Sequence, residues 1–155
     1  MGHRWLDDSE LVRVFLNVED RACRHCGAEM HFCDHRRHRI ETLEGQRKIV
    51  CRLVKCIDRT CAGNHRTESP EAEAALCLPR SIFGWDVFCW IGHRRFSRHW
   101  SVPQIRNELK DSHQIGVSDD AIEDVIARYQ AIVAAREQDP ERLAEIYHDV
   151  DDVVL

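Results

Sequence analysis

No apolar run in this chain approaches the ~20 residues that a membrane-crossing helix needs, which excludes that class of protein. No secretory leader is expected, and no repeat or low-complexity tract interrupts the sequence. The short catalytic patterns are missing as well. There is no glycine-rich phosphate loop, no G-x-S-x-G elbow and no H-E-x-x-H helix. What these absences leave is an expected soluble, cytoplasmic protein with no membrane partner. Its 155 residues, 43% of them apolar, suffice for one packed domain of ordinary size or two small ones.

Cysteine is not scarce, and its placement organises the rest. Cys23-Arg24-His25-Cys26-Gly27 forms a C-x-x-C-G turn, and Cys56 and Cys61 bracket a slightly wider loop. Between them, Arg37 to Thr42 and Lys48 to Lys55 read as two β-strands joined at Glu44-Gly45, the second rich in aliphatic and β-branched residues. A hairpin brings its two ends together, so the pairs can meet around one ion. Four thiolates suit tetrahedral Zn²⁺, giving a zinc ribbon with one structural zinc on Cys23, Cys26, Cys56 and Cys61. Gly27 suits the sharp backbone reversal at the first pair. A disulfide framework would want a secreted chain, and a redox C-x-x-C a βαβ context. Cys51, Cys77 and Cys89 sit within apolar runs and read as core. His31, Cys33, His35, His38 and His65 lie close enough that one could replace a member of the second pair.

The net charge of −5 conceals a strong segregation. Residues 21–66 carry eleven Arg/Lys against five Asp/Glu, and residues 78–110 carry six against two. Residues 111–155 reverse this, with three basic against twelve acidic. A basic working surface on the first two-thirds is the expectation.

Along the chain, Leu11, Val14 and Phe15 share a helical face, which predicts a short helix over Ser9 to Val18. The Val12-Arg13-Val14 alternation also permits a strand. Pro70 to Leu76 predicts a helical turn with Ser69 as its cap. Ser81 to Gly92 predicts a mostly buried helix with Trp85, Phe88 and Cys89 on one side. Arg94, Arg95 and Arg98 follow at its C-terminal end, where the helix dipole favours positive charge. Ser101-Val102-Pro103-Gln104 is a capping box opening a helix to about Lys110 that buries Val102, Ile105 and Leu109. Ser118 caps another to about Ala135, with Ile122, Val125, Ile126, Tyr129, Ile132 and Val133 as its apolar stripe. Asp139-Pro140 starts a last helix to about His148, and Val153-Val154-Leu155 follows.

The expected fold class is α+β: a small zinc-ribbon β-hairpin module followed by an α-helical, helix-turn-helix-like bundle. The expected divisions are 1–66 for the ribbon and N-terminal helix, 67–138 for the helical part, and 139–155 for a linker. One feature opposes the usual docking. Asp119, Asp120, Glu123 and Asp124 occupy the first two turns of the helix that would enter the major groove, and phosphates would repel them. Contacts to double-stranded DNA are therefore expected from Arg36, Arg37, Arg39, Arg47 and Lys48 in the hairpin, and from Arg94, Arg95, Arg98, Arg106 and Lys110.

In order along nearly the whole chain, the Cys23–Gly27 turn, the basic hairpin, Cys56-x4-Cys61, Phe83-Gly84-Trp85-Asp86-Val87 and Ser101–Leu109 resemble the N-terminal region of prokaryotic insertion-sequence transposases of the DDE type. That resemblance implies a zinc ribbon and helix-turn-helix that bind the terminal repeats of a transposon. It also implies a following catalytic domain, reached after a linking helix at Pro140 to His148, whose first strand would begin at Val153. The chain stops there, so the expectation is a truncated, catalytically incompetent fragment that binds DNA. The alternatives are a zinc-ribbon protein-interaction module and a stand-alone transcriptional regulator, the latter needing a homodimer surface, for which the 122–133 stripe is the candidate.

Overall fold

The computed structural model describes residues 6–147, and it is α+β. Strand β1 (Val12–Leu16) runs parallel to β3 (Gly45–Cys56), and β3 pairs antiparallel with β2 (Met30–Thr42), giving the order β1-β3-β2. The β2–β3 hairpin turns through Leu43 and Glu44, and Gly45 takes the positive φ of 121° that such a turn needs. Both strands extend further than the alternation alone suggests, up to the cysteines at the open end. The register slips by one residue between Phe32 and Asp34, a bulge that leaves Cys33 without a partner on β3.

The Ser9–Val18 segment is a strand where a helix was expected. Val12, Val14 and Leu16 alternate with Arg13 and Phe15, and Phe15 is 67% exposed where a helix would have buried it beside Leu11. The period of two prevails because β3 has an edge whose backbone groups β1 can pair. On one face of the sheet, Ile40, Ile49, Cys51 and Leu53 are buried against Cys77, with Val14, Leu16, Cys33 and Leu76 packed around them. Cys51 and Cys77 are thus core, as expected, but Cys89 is exposed on its helix.

Residues 67–84 stay on the sheet. Glu68 bridges Val54, and Phe83 bridges Glu41. A 3-10 turn at Glu71–Ala75 occupies the position expected for a helical turn, but Pro70 precedes it and no side chain caps it, so Ser69 does not serve. Beyond it lie α1 (Trp85–Phe96), α2 (Val102–His113), α3 (Asp119–Glu137) and α4 (Pro140–Tyr147). The capping box at α2 is present: Ser101 Oγ accepts from Gln104 N–H, and Gln104 Oε1 accepts from Ser101 N–H at 2.8 Å. Ser118 caps α3 through Ala121 N–H.

Helices α1 to α3 enclose one core of Phe83, Val87, Phe88, Ile91, Ile105, Leu109, Ile115, Ile122 and Val125. Gly92 lets α3 approach α1 closely, since a Cβ there would lie 2.2 Å from the Tyr129 ring. The α3 stripe is core only in its first half, because Ile132 and Val133 are each 40% exposed. The hairpin turn is tied to the helices. Gly84 N–H donates to Glu41 O at 2.8 Å, and Leu43 N–H donates to Asp86 Oδ2 at 2.7 Å. Val153-Val154-Leu155 and the preceding His148 to Asp152 lie outside the described residues.

Candidate metal centre

Two short loops bring four sulfurs to the open end of the hairpin. In the first, Cys23 N–H donates to Ala28 O and Gly27 N–H to Cys23 O, both at 2.8 Å, with Gly27 at a φ of 73°. This left-handed residue closes the turn at little steric cost. In the second loop, Cys56 ends β3 and Cys61 follows a turn in which Asp58 Oδ1 accepts from Thr60 N–H at 2.8 Å and from Thr60 Oγ at 2.7 Å. Asn64 Nδ2 donates to Cys56 O at 2.6 Å and holds the loop against the strand end.

The four Sγ atoms all lie within 4.8 Å of one another. Cys23 and Cys61 are 3.9 Å apart, and Cys26 and Cys56 are 3.5 Å apart. A tetrahedral ion with metal–sulfur bonds of about 2.3 Å requires sulfur–sulfur edges of about 3.8 Å, so the spacing fits a bound ion. It does not fit disulfides, whose sulfurs are about 2 Å apart. Cys23, Cys56 and Cys61 are buried, while Cys26 is exposed at the rim.

The surroundings act differently on these sulfurs. The backbone N–H groups of His25 and Cys26 bring the Cys23 thiol down to about 7, and Gly63 N–H donates to Cys61 Sγ at 3.3 Å. Burial pushes Cys56 up to about 12. Cys61 is also raised, since desolvation and the Cys26 and Cys23 thiols outweigh the opposing pull of Gly63. A cation among the four would supply the charge that the backbone alone does not. Gly63 is a contributor that the cysteine spacing does not reveal. A Cβ at that position would sit 2.7 Å from Cys23 Sγ, so only glycine lets the second loop close over the first.

The other candidate ligands go elsewhere. Cys33 Sγ donates to Leu53 O at 3.5 Å, on the packed face of the sheet. His31, His35 and His65 are exposed. His38 Nε2 lies 3.9 Å from Cys77 Sγ and 3.7 Å from Glu73 Oε1. The surroundings of this Cys-His-Glu contact favour the neutral forms of Cys77 and His38. Burial, with Glu73 adding to it, raises the Cys77 thiol, and burial lowers the affinity of His38 for a proton. Cys51 beside them is pushed to about 11, again mainly by burial. Thiols kept protonated in this way are packing groups.

Five of the ten basic residues are ion-paired. Arg36 pairs with Glu73, Arg39 and Lys48 share Asp8, Arg47 pairs with Glu44, and Arg106 grips both oxygens of Asp119 at 2.9 and 3.0 Å. Arg37, Arg98 and Lys110 are exposed and make no ion pair among the described residues. Arg95 donates to Trp100 O at 3.0 Å. The guanidinium of Arg94 is stacked 4.9 Å from both the Trp90 and Trp100 rings, where its Nε is buried without a partner. Of the four acidic residues at the start of α3, Asp119 and Asp124 are paired, the latter with Arg128 at 3.0 Å, and Asp120 and Glu123 stay exposed.

No helix of the described residues is long and apolar enough to cross a membrane. Comparison with protein-family models, with curated proteins and with solved structures yields no match in any of the three.

Proposed function

We propose that this chain is a zinc-dependent module that binds double-stranded DNA, in the manner of the end-recognising region of an insertion-sequence transposase. The observation that carries the reading is the convergence of four sulfurs at the end of an arginine-rich hairpin. Four thiolates in tetrahedral array favour zinc over the oxygen-seeking ions. Zinc would hold Cys23, Cys26, Cys56 and Cys61 as thiolates and fix the two strand ends. Its role is structural, because four protein ligands leave no open position for a substrate.

On the helical side, α2 presents Gln104, Asn107 and Lys110 to solvent, and α3 presents Asp120 and Glu123. We assign base contact to α2, because an asparagine or glutamine can read an adenine edge while the acidic start of α3 is repelled by phosphate. Arg95 and Arg98, at the end of α1, would grip the backbone. The role proposed for these residues is binding. Strand cutting by two metal ions calls on carboxylates assembled from distant parts of a catalytic fold.

A second reading, a protein-interaction module or homodimeric regulator, draws on the exposed Ile132 and Val133 of α3. A gel-shift titration of transposon-end duplex against random duplex, at several salt concentrations, separates the two. The expected result is preference for the end duplex, with affinity falling linearly in log–log against salt. Equal, salt-independent behaviour toward both duplexes, together with self-association lost on Ile132→Glu, would establish the second reading instead.

A further inference from the structure

The sheet has a second face that no helix of the described residues covers. Pairing across the three strands places Arg13, Phe15, Lys48, Val50, Arg52, His35, Arg37 and Arg39 together on it. The N-terminal segment closes the turn end of that face, where Asp8 takes up Lys48 and Arg39. The remainder is a shallow open groove of about 210 Å³, lined by Arg13, Phe15, His35, Arg37, Lys48 and Val50, and it continues over Arg52 and Asn17. Val50, 6% exposed, is its floor, and among the described residues no carboxylate lines it.

Two phenyl rings stand in this basic field. Phe15 is 67% exposed and Phe32 is 45% exposed. Strict alternation from Asp34 would have put Phe32 on the packed face. The bulge at Cys33 reverses it, sends Cys33 inward to Leu53 O, and turns Phe32 outward opposite Val54. There the Arg52 guanidinium lies 4.8 Å above the Phe32 ring, and the His35 ring is 4.7 Å away. Two rings left partly exposed beside guanidinium groups put apolar, flat surface inside a cationic one, the combination that takes up stacked bases.

We infer that this open sheet face binds single-stranded DNA, with unpaired bases stacked on Phe15 and on the Phe32–Arg52 pair and phosphates held by Arg13 and Arg37. Every base offers a flat π-face to an aromatic ring, and a carboxylate-free groove flanked by guanidinium groups suits the linking phosphates. A duplex hides those faces in its stack, so this site is distinct in ligand from the groove contacts proposed for α2. The choice of DNA over RNA rests on the reading of the chain as a module that binds transposon-end DNA.

The test is fluorescence anisotropy of the full chain with a labelled dodecameric oligo(dT), beside the end duplex. The expected result is salt-sensitive oligo(dT) binding that weakens about tenfold for each ring removed, and hence about a hundredfold in Phe15→Ala/Phe32→Ala, while duplex binding is unchanged. The Phe15→Leu/Phe32→Leu variant keeps apolar volume and removes the π-face, so it is expected to lose affinity too without a folding defect. Parent-like oligo(dT) affinity in the leucine variant overturns the proposal. So does tighter binding of oligo(rU), or a dimer that dissociates when the rings are removed. A parent that binds the duplex but not oligo(dT) overturns this inference alone. A parent that binds oligo(dT) through the rings but ignores the duplex upholds it and removes the duplex reading.

Discussion

The two ends of this molecule are held together by different physics. Around the metal centre the buried cluster is Cys23, Met30, Val54, Cys56 and Cys61, so most of its members are the sulfurs themselves. Around the helices the buried cluster has nine members, all aliphatic or aromatic. A cluster as small as the first has little apolar surface to offset the entropy of ordering its loops, and an ion bound by the four sulfurs would supply the difference. The second closes on its own through apolar burial. The contrast teaches where each half is vulnerable.

If the four sulfurs hold a structural zinc, as proposed, removing it should produce the largest effect, because its binding energy would be folding energy, on the order of 10 kcal/mol. A strong chelator, or Cys56→Ser, is expected to abolish amide protection at Met30–Phe32 and Lys55–Cys56 while α1 to α3 stay protected. Superimposable hydrogen-exchange profiles with and without chelator would erase the comparison. The converse perturbation is Leu109→Ala, which empties a fully buried position between α2 and α3 and is expected to cost about 2–5 kcal/mol. Denaturant unfolding followed at the helices should move by that amount with metal content unaltered. A loss of metal in this variant would mean that the halves are one cooperative unit. Smaller still is Gly63→Ala, which leaves every ligand in place but sets a methyl group 2.7 Å from Cys23 Sγ. Metal affinity, read by chelator competition, should fall roughly 10- to 100-fold, as it does when a group supporting the ligands is disturbed. An unchanged affinity would show that the second loop yields.

The four sulfurs and the hairpin between them were legible because their signals are local: paired cysteines, a turn at Glu44-Gly45 and β-branched runs. The caps of α2 and α3 were legible for the same reason, since Ser101 and Ser118 bond to backbone three residues away. What escaped was settled at long range. The strand at Val12–Leu16 depends on an edge of β3 that lies 35 residues further along, and five residues carry too little periodicity to announce it. The basic side chains looked uniformly available, yet Asp8 reaches Arg39 and Lys48 across the turn, and Glu73 reaches Arg36 from the segment lying over the sheet. Cys89 reads as core from its apolar neighbours and Ile132 as part of one continuous apolar stripe, but only the relative placement of the helices decides which side of each meets another element. Phe32 faces outward because of a single unpaired residue, and no alternation pattern can foretell a bulge that interrupts it.

The length of the hairpin also matters. Its turn is bound to α1 through Asp86 and Glu41, and its far tip carries the sulfurs. A β2 strand of 13 residues, at about 3.3 Å each, makes a stiff arm of about 40 Å. Successive major grooves on one side of B-DNA recur about every 34–36 Å. If both tips of the arm touch one duplex, they sample it nearly in phase, and the strand acts as a caliper set by residue count. Adding or deleting a cross-strand pair would then put the knuckle out of step with the helices without altering either.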